Sequence, residues 1–172
     1  CVFCATGSGG FVRNLTSSEI INQIMEIEVG LGKGKSVTNV VLMGMGEPFA
    51  NYENVLKAIR LMNATEGLMI AARKITVSTS GLAPQIKQFT SEGTQVGLAL
   101  SLNATTDELR SRLMPNNHRY PIREVLSSCK EWTLAVNRWL TIEYILMKDL
   151  NDSPKDAKQL CKLLHGIPSK IN

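Results

Sequence analysis

The chain has 172 residues, a mass of 18.9 kDa and a formal net charge of +4 at pH 7. This length predicts about one domain. A content of 44% hydrophobic and 20% charged residues excludes a disordered or collagen-like chain. No apolar run approaches the ~20 residues that a membrane helix needs, so we expect no membrane partner. Four cysteines are too few for a secreted disulfide scaffold, which favours a reducing, cytoplasmic setting.

The two ends of the chain are typical of an internal segment of a longer protein. The first residue is Cys1 rather than Met, and no charged and apolar leader precedes it. The last residues, 169–172, have the pattern of a strand that is just beginning. We therefore expect further residues on both sides and no complete domain within this piece.

Helical and extended patterns alternate along the chain. Thr16 and Glu19 have the spacing of a capping box, which predicts the start of the first long helix. Further helices are predicted after Asn51, from Pro84 to Phe89, from Thr106 to Pro115, from Pro121 to Trp132, and from Ser153 to about Gly166. Strands are predicted over 40–43, 74–81, 96–103 and 140–146, and a last one begins at 169.

This alternation predicts βαβ units and a parallel sheet. The unbroken apolar run 40–43 is typical of a strand covered on both faces. The strand 96–103 instead alternates large apolar residues with small or polar ones. With Thr76, Ser78, Thr141 and Glu143, this polar face suggests an open lumen, so a barrel or partial barrel fits better than a flat sheet.

Glycines and polar residues follow three of the predicted strands, at 44–47, 78–81 and 101–103. Barrel folds bind ligands at the carboxyl ends of their strands, so these segments predict a small-molecule site. In the first segment, glycines let backbone groups approach a ligand, and Glu47 can pair with a ligand ammonium group. A tight turn with a solvated carboxylate explains the same residues equally well.

The spacing of Cys1 and Cys4 does not by itself define one chemistry. Two thiolates in this arrangement bind zinc, an iron–sulfur cluster, or form a redox disulfide, and they can also stay unligated. Cys129 and Cys161 have no paired partner nearby in sequence and lie on apolar helical patterns, so both are predicted to be core residues.

Five short motifs occur in an order and spacing that resembles one enzyme family. They are CVFCATG at 1–7, RNLT at 13–16, GMGEP at 44–48, VSTSG at 77–81 and LSLNA at 100–104. Together they resemble the radical S-adenosylmethionine (SAM) enzymes that methylate carbon 2 of adenine in ribosomal and transfer RNA. The resemblance implies an α/β fold, a partial (β/α)6 TIM-like barrel truncated at both ends, with residues 1–172 as the central part of a single radical SAM core domain.

The same resemblance implies two cofactors. Cys1 and Cys4 match the second and third cysteines that bind a [4Fe-4S] cluster, while the first cysteine lies upstream of this chain. Gly46 and Glu47 match the segment that holds the methionine amino group of SAM. Other positions that contact SAM in the family correspond here to Ser78, Ser101, Leu102 and Asn103. Many relatives have His where Asn103 stands, which is a mild departure because Asn keeps a hydrogen-bonding side chain.

The implied reaction uses a 5′-deoxyadenosyl radical and a methyl-cysteine intermediate. The methyl-carrying cysteine belongs to a later part of the family's sequence, so no catalytic residue is assigned in this chain. The implied substrates are 23S rRNA and tRNA, and the implied electron donor is a protein such as flavodoxin. A monomer is expected.

A cluster of basic residues follows the predicted strand 96–103. Its members are Arg110, Arg112, His118, Arg119 and Arg123. They are candidates for contacts to RNA phosphates, although a solvated helix face that pairs with nearby carboxylates is the simpler interpretation. Three alternatives to the whole assignment stay open: a carbon-8 adenine methyltransferase, a zinc or redox module, and an RNA-binding relative without catalysis.

Overall fold

A computed structural model describes residues 1–32 and 34–172. Seven α-helices and five strands are present in these residues. The helices are α1 Ala5–Ser8, α2 Ser17–Leu31, α3 Tyr52–Asn63, α4 Ala83–Ser91, α5 Asp107–Leu113, α6 Ile122–Val136 and α7 Pro154–Leu163. The strands are β1 Val40–Leu42, β2 Ile75–Thr79, β3 Gly97–Ser101, β4 Leu140–Glu143 and β5 Ser169–Ile171. Three 3₁₀ helices cover Pro48–Asn51, Ala72–Lys74 and Pro115–His118.

The predicted capping box at the start of α2 is confirmed. The Glu19 backbone N–H donates to the Thr16 hydroxyl at 3.3 Å, and the Glu19 carboxylate accepts from the Thr16 N–H at 2.9 Å. The side chain of Asn51, predicted to cap α3, does not do so, because its Oδ1 accepts from the Asn54 side-chain amide at 2.9 Å. The Asn51 amide nitrogen donates to the Leu15 carbonyl at 2.7 Å. Asn51 thus connects α3 to the extended segment that precedes α2.

All strand pairs are parallel, and the strands lie in the sheet in their order along the chain. Crossovers between parallel strands are right-handed, so a strictly sequential order places every crossover helix on the same face of the sheet. This is the arrangement of a TIM-type barrel and not of a doubly wound sheet. The α/β prediction and its barrel-type strand order are confirmed.

The core lies between the sheet and these helices. Ile75, Val77, Leu98, Leu140 and Ile142 point to that face and are almost completely inaccessible to solvent. Helices α4 and α6 pack over the strands, and the largest fully buried side chain is Trp132 of α6. Cys129, also on α6, is fully buried, so its predicted core position is confirmed.

The opposite face of the sheet, which we call the concave face, is polar and more open. Thr76, Ser78, Ser101 and Thr141 alternate with the core residues and are half-buried, as the sequence predicts. The prediction that the strand at 40–43 is covered on both faces is wrong. Val41 pairs with Thr76 on the concave face and is 59% exposed, since no helix of the described residues covers that side of β1.

Two further predictions need correction. Cys161 is exposed on α7 rather than buried, because that helix packs on the core through Leu160 and Leu163 and Cys161 faces away from it. The strand predicted over 140–146 ends at Glu143, where a hydrogen-bonded loop begins. In the described part of the chain, no helix has the length and hydrophobicity required to cross a bilayer.

Candidate functional site

The carboxyl ends of the parallel strands meet at one edge of the sheet, and the predicted site segments lie there. The segment 44–48 follows β1, Ser80 and Gly81 follow β2, and Leu102 and Asn103 follow β3. Helix α5 and the 3₁₀ helix Pro115–His118 pack against this edge through Arg110 and Asn116. The sheet therefore brings together residues that are far apart in sequence.

The cysteine pair is attached to the same edge. The Val2 backbone N–H donates to the carbonyl of Leu113, the last residue of α5, at 2.9 Å. The loop itself closes through the Cys4 N–H, which donates to the Cys1 carbonyl at 3.2 Å. An added Cβ at Gly7 would lie 3.2 Å from that carbonyl, so a side chain there would crowd the turn. Cys1 is exposed and Cys4 is half-buried, which leaves both sulfurs accessible.

The environment of Cys4 favours its thiolate form. A hydrogen bond from the backbone N–H of Gly7 is the main cause that lowers the pKa of the Cys4 thiol, and Thr6 contributes in the same direction. Iron–sulfur clusters are held by thiolates, and hydrogen bonds to the sulfurs tune them. Cys1 and Cys4 thus fit two positions of a cluster's ligand set. Residues 1–32 and 34–172 contain no group of three potential metal ligands, so this pair needs ligands from elsewhere.

Glu47 bridges the ends of β1 and β2. One carboxylate oxygen accepts from the Phe49 N–H at 3.1 Å, and the other accepts from the Ser80 N–H at 2.7 Å. The carboxylate is half-buried, and each oxygen keeps a further lone pair for a cation. Gly46, immediately before it, has φ of 103° and no atom within 4 Å of an added Cβ. The backbone at Gly46 is therefore open to close approach by a ligand.

Ser78 and Ser101 both lie on the concave face near this edge. The Ser78 hydroxyl donates to the Leu42 carbonyl at 2.7 Å and so connects β2 to β1. Ser101 pairs in register with Glu143 and is half-buried. Across the described ranges, no protein group hydrogen-bonds to the Ser101 hydroxyl, whereas its carbonyl accepts from Arg110 at 3.0 Å. Ser101 is thus the predicted residue whose side chain is most available to a ligand.

Leu102 and Asn103 are placed differently from Ser101. The Leu102 side chain lies in the core, its N–H donates to the Glu143 carbonyl at 3.0 Å, and its carbonyl accepts from Arg110 at 3.1 Å. Asn103 adopts φ of 57°, which turns it out of the strand alternation into a buried position. Its Oδ1 accepts from the Ile145 N–H at 3.0 Å. The polar groups of both residues serve the protein structure, and their predicted contact with SAM stays a prediction.

The sequence interpretation placed Arg110 among surface cations, and the structure corrects this. Arg110 is 0% exposed. Its position on α5, three residues before the buried Leu113, is the sequence feature that could have indicated burial. Burial lowers the pKa of Arg110 to about 10, while the Coulombic effect of Asp107 acts in the opposite direction. Asn117 is also buried, and it accepts from Arg110 at 3.0 Å and donates to Asp107 at 3.0 Å.

The other members of the basic cluster are exposed. Arg112, His118, Arg119 and Arg123 have solvent access. Arg112 and His118 border an open cavity of about 410 Å³ with Asp107, Glu108 and Ser111. Considering only the residues that the structure describes, none of these four cations forms an ion pair within 4.0 Å of a carboxylate. The expected pairing with neighbouring carboxylates is therefore absent from the described structure.

The strands form a parallel α/β sheet in sequential order, and a thiol pair, an acid and hydroxyl groups lie at its carboxyl edge. Together these features define a cofactor-binding domain of the TIM-barrel type. The sequence profile described as the radical SAM superfamily matches residues 1–161. The chain belongs to this superfamily, which confirms the resemblance identified from the motifs. Membership implies, in general terms, a [4Fe-4S] cluster and SAM.

Individual proteins resemble the chain over its whole length. It is 51% identical over 172 residues to the dual-specificity RNA methyltransferase RlmN of Syntrophotalea carbinolica, with 100% of this chain and 45% of that protein covered. It is 48% identical over 172 residues to the protein of the same name from Geotalea uraniireducens, with 100% and 49% covered. The chain spans about half the length of the curated relatives it matches.

A solved structure agrees with the fold. The crystal structure of a radical SAM methyltransferase from Sphaerobacter thermophilus superimposes with a TM-score of 0.96 at 44% sequence identity. The alignment covers 100% of this chain and 51% of that protein. Because all of this chain is aligned, the superposition spans the five strands and the segments that follow them.

Proposed function

We propose that the full-length protein methylates carbon 2 of adenine in 23S rRNA and tRNA by radical SAM chemistry. In this proposal, residues 1–172 form the central part of a single radical SAM core domain. The observation that carries the proposal is the carboxyl edge of the sheet, where the Cys1–Cys4 loop is joined to α5 and Glu47 joins β1 to β2. Identities of 48–51% to relatives named dual-specificity RNA methyltransferases support the choice of substrate.

A radical route has a chemical reason. Carbon 2 of adenine is not a nucleophile, so polar methyl transfer from SAM to this atom fails. The cluster, when bound, supplies the electron that cleaves SAM reductively. The protein's contribution is to bind and orient the cofactors and to protect the reaction from solvent.

In this proposal, different residues of the chain bind the cluster and SAM. Cys1 and Cys4 would each bind an iron of the cluster as a thiolate, and the N–H of Gly7 favours the thiolate of Cys4. Glu47 pairs with the ammonium group of SAM, because its carboxylate is fixed by two backbone donors and keeps free lone pairs. Gly46 leaves room for the close approach of the methionine group.

The concave face supplies further contacts in this proposal. Ser78 and Ser101 offer hydroxyl groups to SAM, Ser101 with its side chain unoccupied by protein partners in the described ranges. Leu102 and Asn103 complete the segment by holding the backbone after β3 in place. No residue of this chain is assigned a covalent role.

The exposed cations beside the site are proposed as contacts to the RNA backbone. Arg112, Arg119 and Arg123 have no ion-pair partner within 4.0 Å in the part of the chain that the structure describes. Unpaired cations near a reaction site bind phosphates with a strong dependence on salt. In the full-length protein, Arg112→Ala and Arg119→Ala should each weaken RNA binding and reduce the salt slope by about one unit. An unchanged slope would contradict the assignment.

The remaining parts of the proposal concern the setting of the enzyme. We propose that it is a cytoplasmic monomer that receives electrons from a protein such as flavodoxin. Light scattering of the full-length protein tests whether it is a monomer. Reduction of the loaded protein by purified flavodoxin tests the electron donor.

The decisive experiment uses the full-length protein, loaded with iron and sulfide without oxygen and incubated with SAM and RNA transcripts. The RNA is then digested and analysed by mass spectrometry with standards of 2-methyladenosine and 8-methyladenosine. We expect 2-methyladenosine. 8-Methyladenosine would overturn the carbon-2 assignment, and stoichiometric zinc without iron would overturn the enzyme class. Cys1→Ala and Cys4→Ala should each lose iron, whereas the exposed Cys161→Ala should retain it.

A further inference from the structure

Arg110 is a fully buried cation that makes four hydrogen bonds at the carboxyl edge of the sheet. Its Nε donates to the Leu102 carbonyl at 3.1 Å, and one terminal nitrogen donates to Asn117 at 3.0 Å. The other terminal nitrogen donates to the carbonyls of Ser80 at 2.6 Å and Ser101 at 3.0 Å. One guanidinium therefore joins the end of β2 to the end of β3.

Ser80 connects this guanidinium to Glu47. The Ser80 carbonyl accepts from Arg110 at 2.6 Å, while its N–H donates to the Glu47 carboxylate at 2.7 Å. Asn116 adds a second donor to the same carbonyl at 2.8 Å. The position of the Glu47 carboxylate is thus set by a short path of hydrogen bonds that begins at Arg110.

We propose that Arg110 is a positioning residue for SAM, which fixes Glu47 through Ser80 and fixes Ser101 through its carbonyl without touching SAM itself. This inference rests on the proposed function, because it assumes that Glu47 and Ser101 face SAM. It goes beyond the proposed function because Arg110, which lies outside the motif segments, is assigned the positioning of both Glu47 and Ser101.

The geometry requires arginine and not another cation. A planar guanidinium presents several N–H donors in fixed directions, and here they reach three carbonyls and one amide oxygen. A lysine ammonium is a point charge that cannot serve both strand ends at these positions. The adjacent backbone is shaped to admit the group, since an added Cβ at Gly81 would lie 3.3 Å from the Arg110 nitrogen.

The test compares Arg110→Lys and Arg110→Gln with Arg60→Lys in the loaded full-length protein. Arg60 is a matched control, because it is exposed on α3 and pairs with Glu92 far from the site. Equilibrium dialysis of radiolabelled SAM should show Kd raised by about tenfold or more in both Arg110 variants, and by less than about twofold in Arg60→Lys. Iron content and RNA affinity should remain within about twofold of the parent, because neither depends on Ser80.

Asn116→Ala provides a second and milder variant if the Arg110 variants do not fold. Asn116 is half-buried and donates to both the Ser80 carbonyl and hydroxyl, so its loss should raise the Kd of SAM about threefold. Unchanged SAM affinity in a folded Arg110→Lys or Asn116→Ala protein would overturn the inference. So would an equal loss of SAM binding, RNA binding and iron, which indicates general destabilisation. A parent protein that does not bind SAM would instead overturn the proposed function.

Discussion

The Asn151 amide donates to the backbone carbonyl of Asn103 at 2.9 Å, across 48 positions of sequence. The same amide nitrogen donates to the Ile145 carbonyl at 2.8 Å, and its oxygen accepts from the Met147 N–H at 2.7 Å. One buried side chain therefore holds the turn after β3 against the loop after β4. This contact fixes Asn103 in its left-handed conformation beside the proposed cofactor edge.

Replacement of Asn151 by alanine should destabilise the protein strongly. The change leaves the buried carbonyl of Asn103 without its partner, together with the partly buried carbonyl of Ile145 and N–H of Met147, which costs about 2–4 kcal/mol of unfolding free energy. Urea denaturation of the full-length protein, followed by circular dichroism, measures this loss. Asn22→Ala on the exposed surface of α2 is the matched control and should change stability by less than about 0.5 kcal/mol. Equal effects of the two variants would contradict the role assigned to Asn151.

Much of this architecture follows from local sequence patterns. The capping box at Thr16, the alternation in 96–103 and the glycines after β1 are local features, and each predicted its element or its place in the sheet. Arg110 shows the limit of this reasoning. Its charge indicated a surface position, whereas tertiary packing supplies four acceptors that no local pattern contains. The same holds for the contact of Asn151 with Asn103, which lies 48 positions away in the turn after β3.

Gly81 combines a left-handed backbone conformation with close packing around the position of an added Cβ. It has φ of 103°, and an added Cβ would lie 2.9 Å from Val125 Cγ1. Gly81→Ala therefore combines backbone strain with a steric clash and should cost about 2–4 kcal/mol of unfolding free energy. The local shift would also displace the Arg110 guanidinium, 3.3 Å from the added atom. Thermal denaturation of the full-length variant measures the effect.

Gly93 provides the comparison for Gly81. It also has a positive φ, of 63°, but nothing lies within 4 Å of an added Cβ. Gly93→Ala should therefore cost only the conformational strain, about 1–2 kcal/mol. If Gly81→Ala were as stable as Gly93→Ala, the side chains around Val125 would have to rearrange without any loss of unfolding free energy.

The four cysteines should react at very different rates in the protein before cluster loading. Cys1 and Cys161 are exposed, and Cys4 is half-buried with a lowered pKa, mainly through the Gly7 N–H. Cys129 is fully buried, and burial raises its pKa to about 12 from 9.0. Brief iodoacetamide treatment at neutral pH and peptide mass spectrometry should find three labelled cysteines and an unlabelled Cys129.

The same burial gives Cys129 a defined effect on alkaline stability. Its pKa is higher in the folded than in the unfolded protein, so folding favours the neutral thiol. This contribution is complete below pH 9.0 and is lost as pH rises through about 12. Cys129→Ala should therefore show a weaker loss of stability with pH in that range than the parent. Rapid labelling of native Cys129 would contradict both expectations.

Glu47 is predicted to have two roles: it joins the ends of β1 and β2, and it pairs with the ammonium group of SAM. Its substitution should therefore affect both the stability of the protein and its affinity for SAM. Glu47→Gln retains one acceptor oxygen but places an NH₂ group against the second backbone donor, from either Phe49 or Ser80. The unmatched donor should lower the unfolding free energy by about 1–3 kcal/mol. The lost charge should raise the Kd of SAM by about tenfold, because the ammonium group loses its ionic partner. Glu26→Gln, on the exposed surface of α2, is the control for charge alone and should leave both quantities unchanged. If Glu47→Gln lost stability but bound SAM like the parent, Glu47 would be a connector of strand ends and not a ligand of the cofactor.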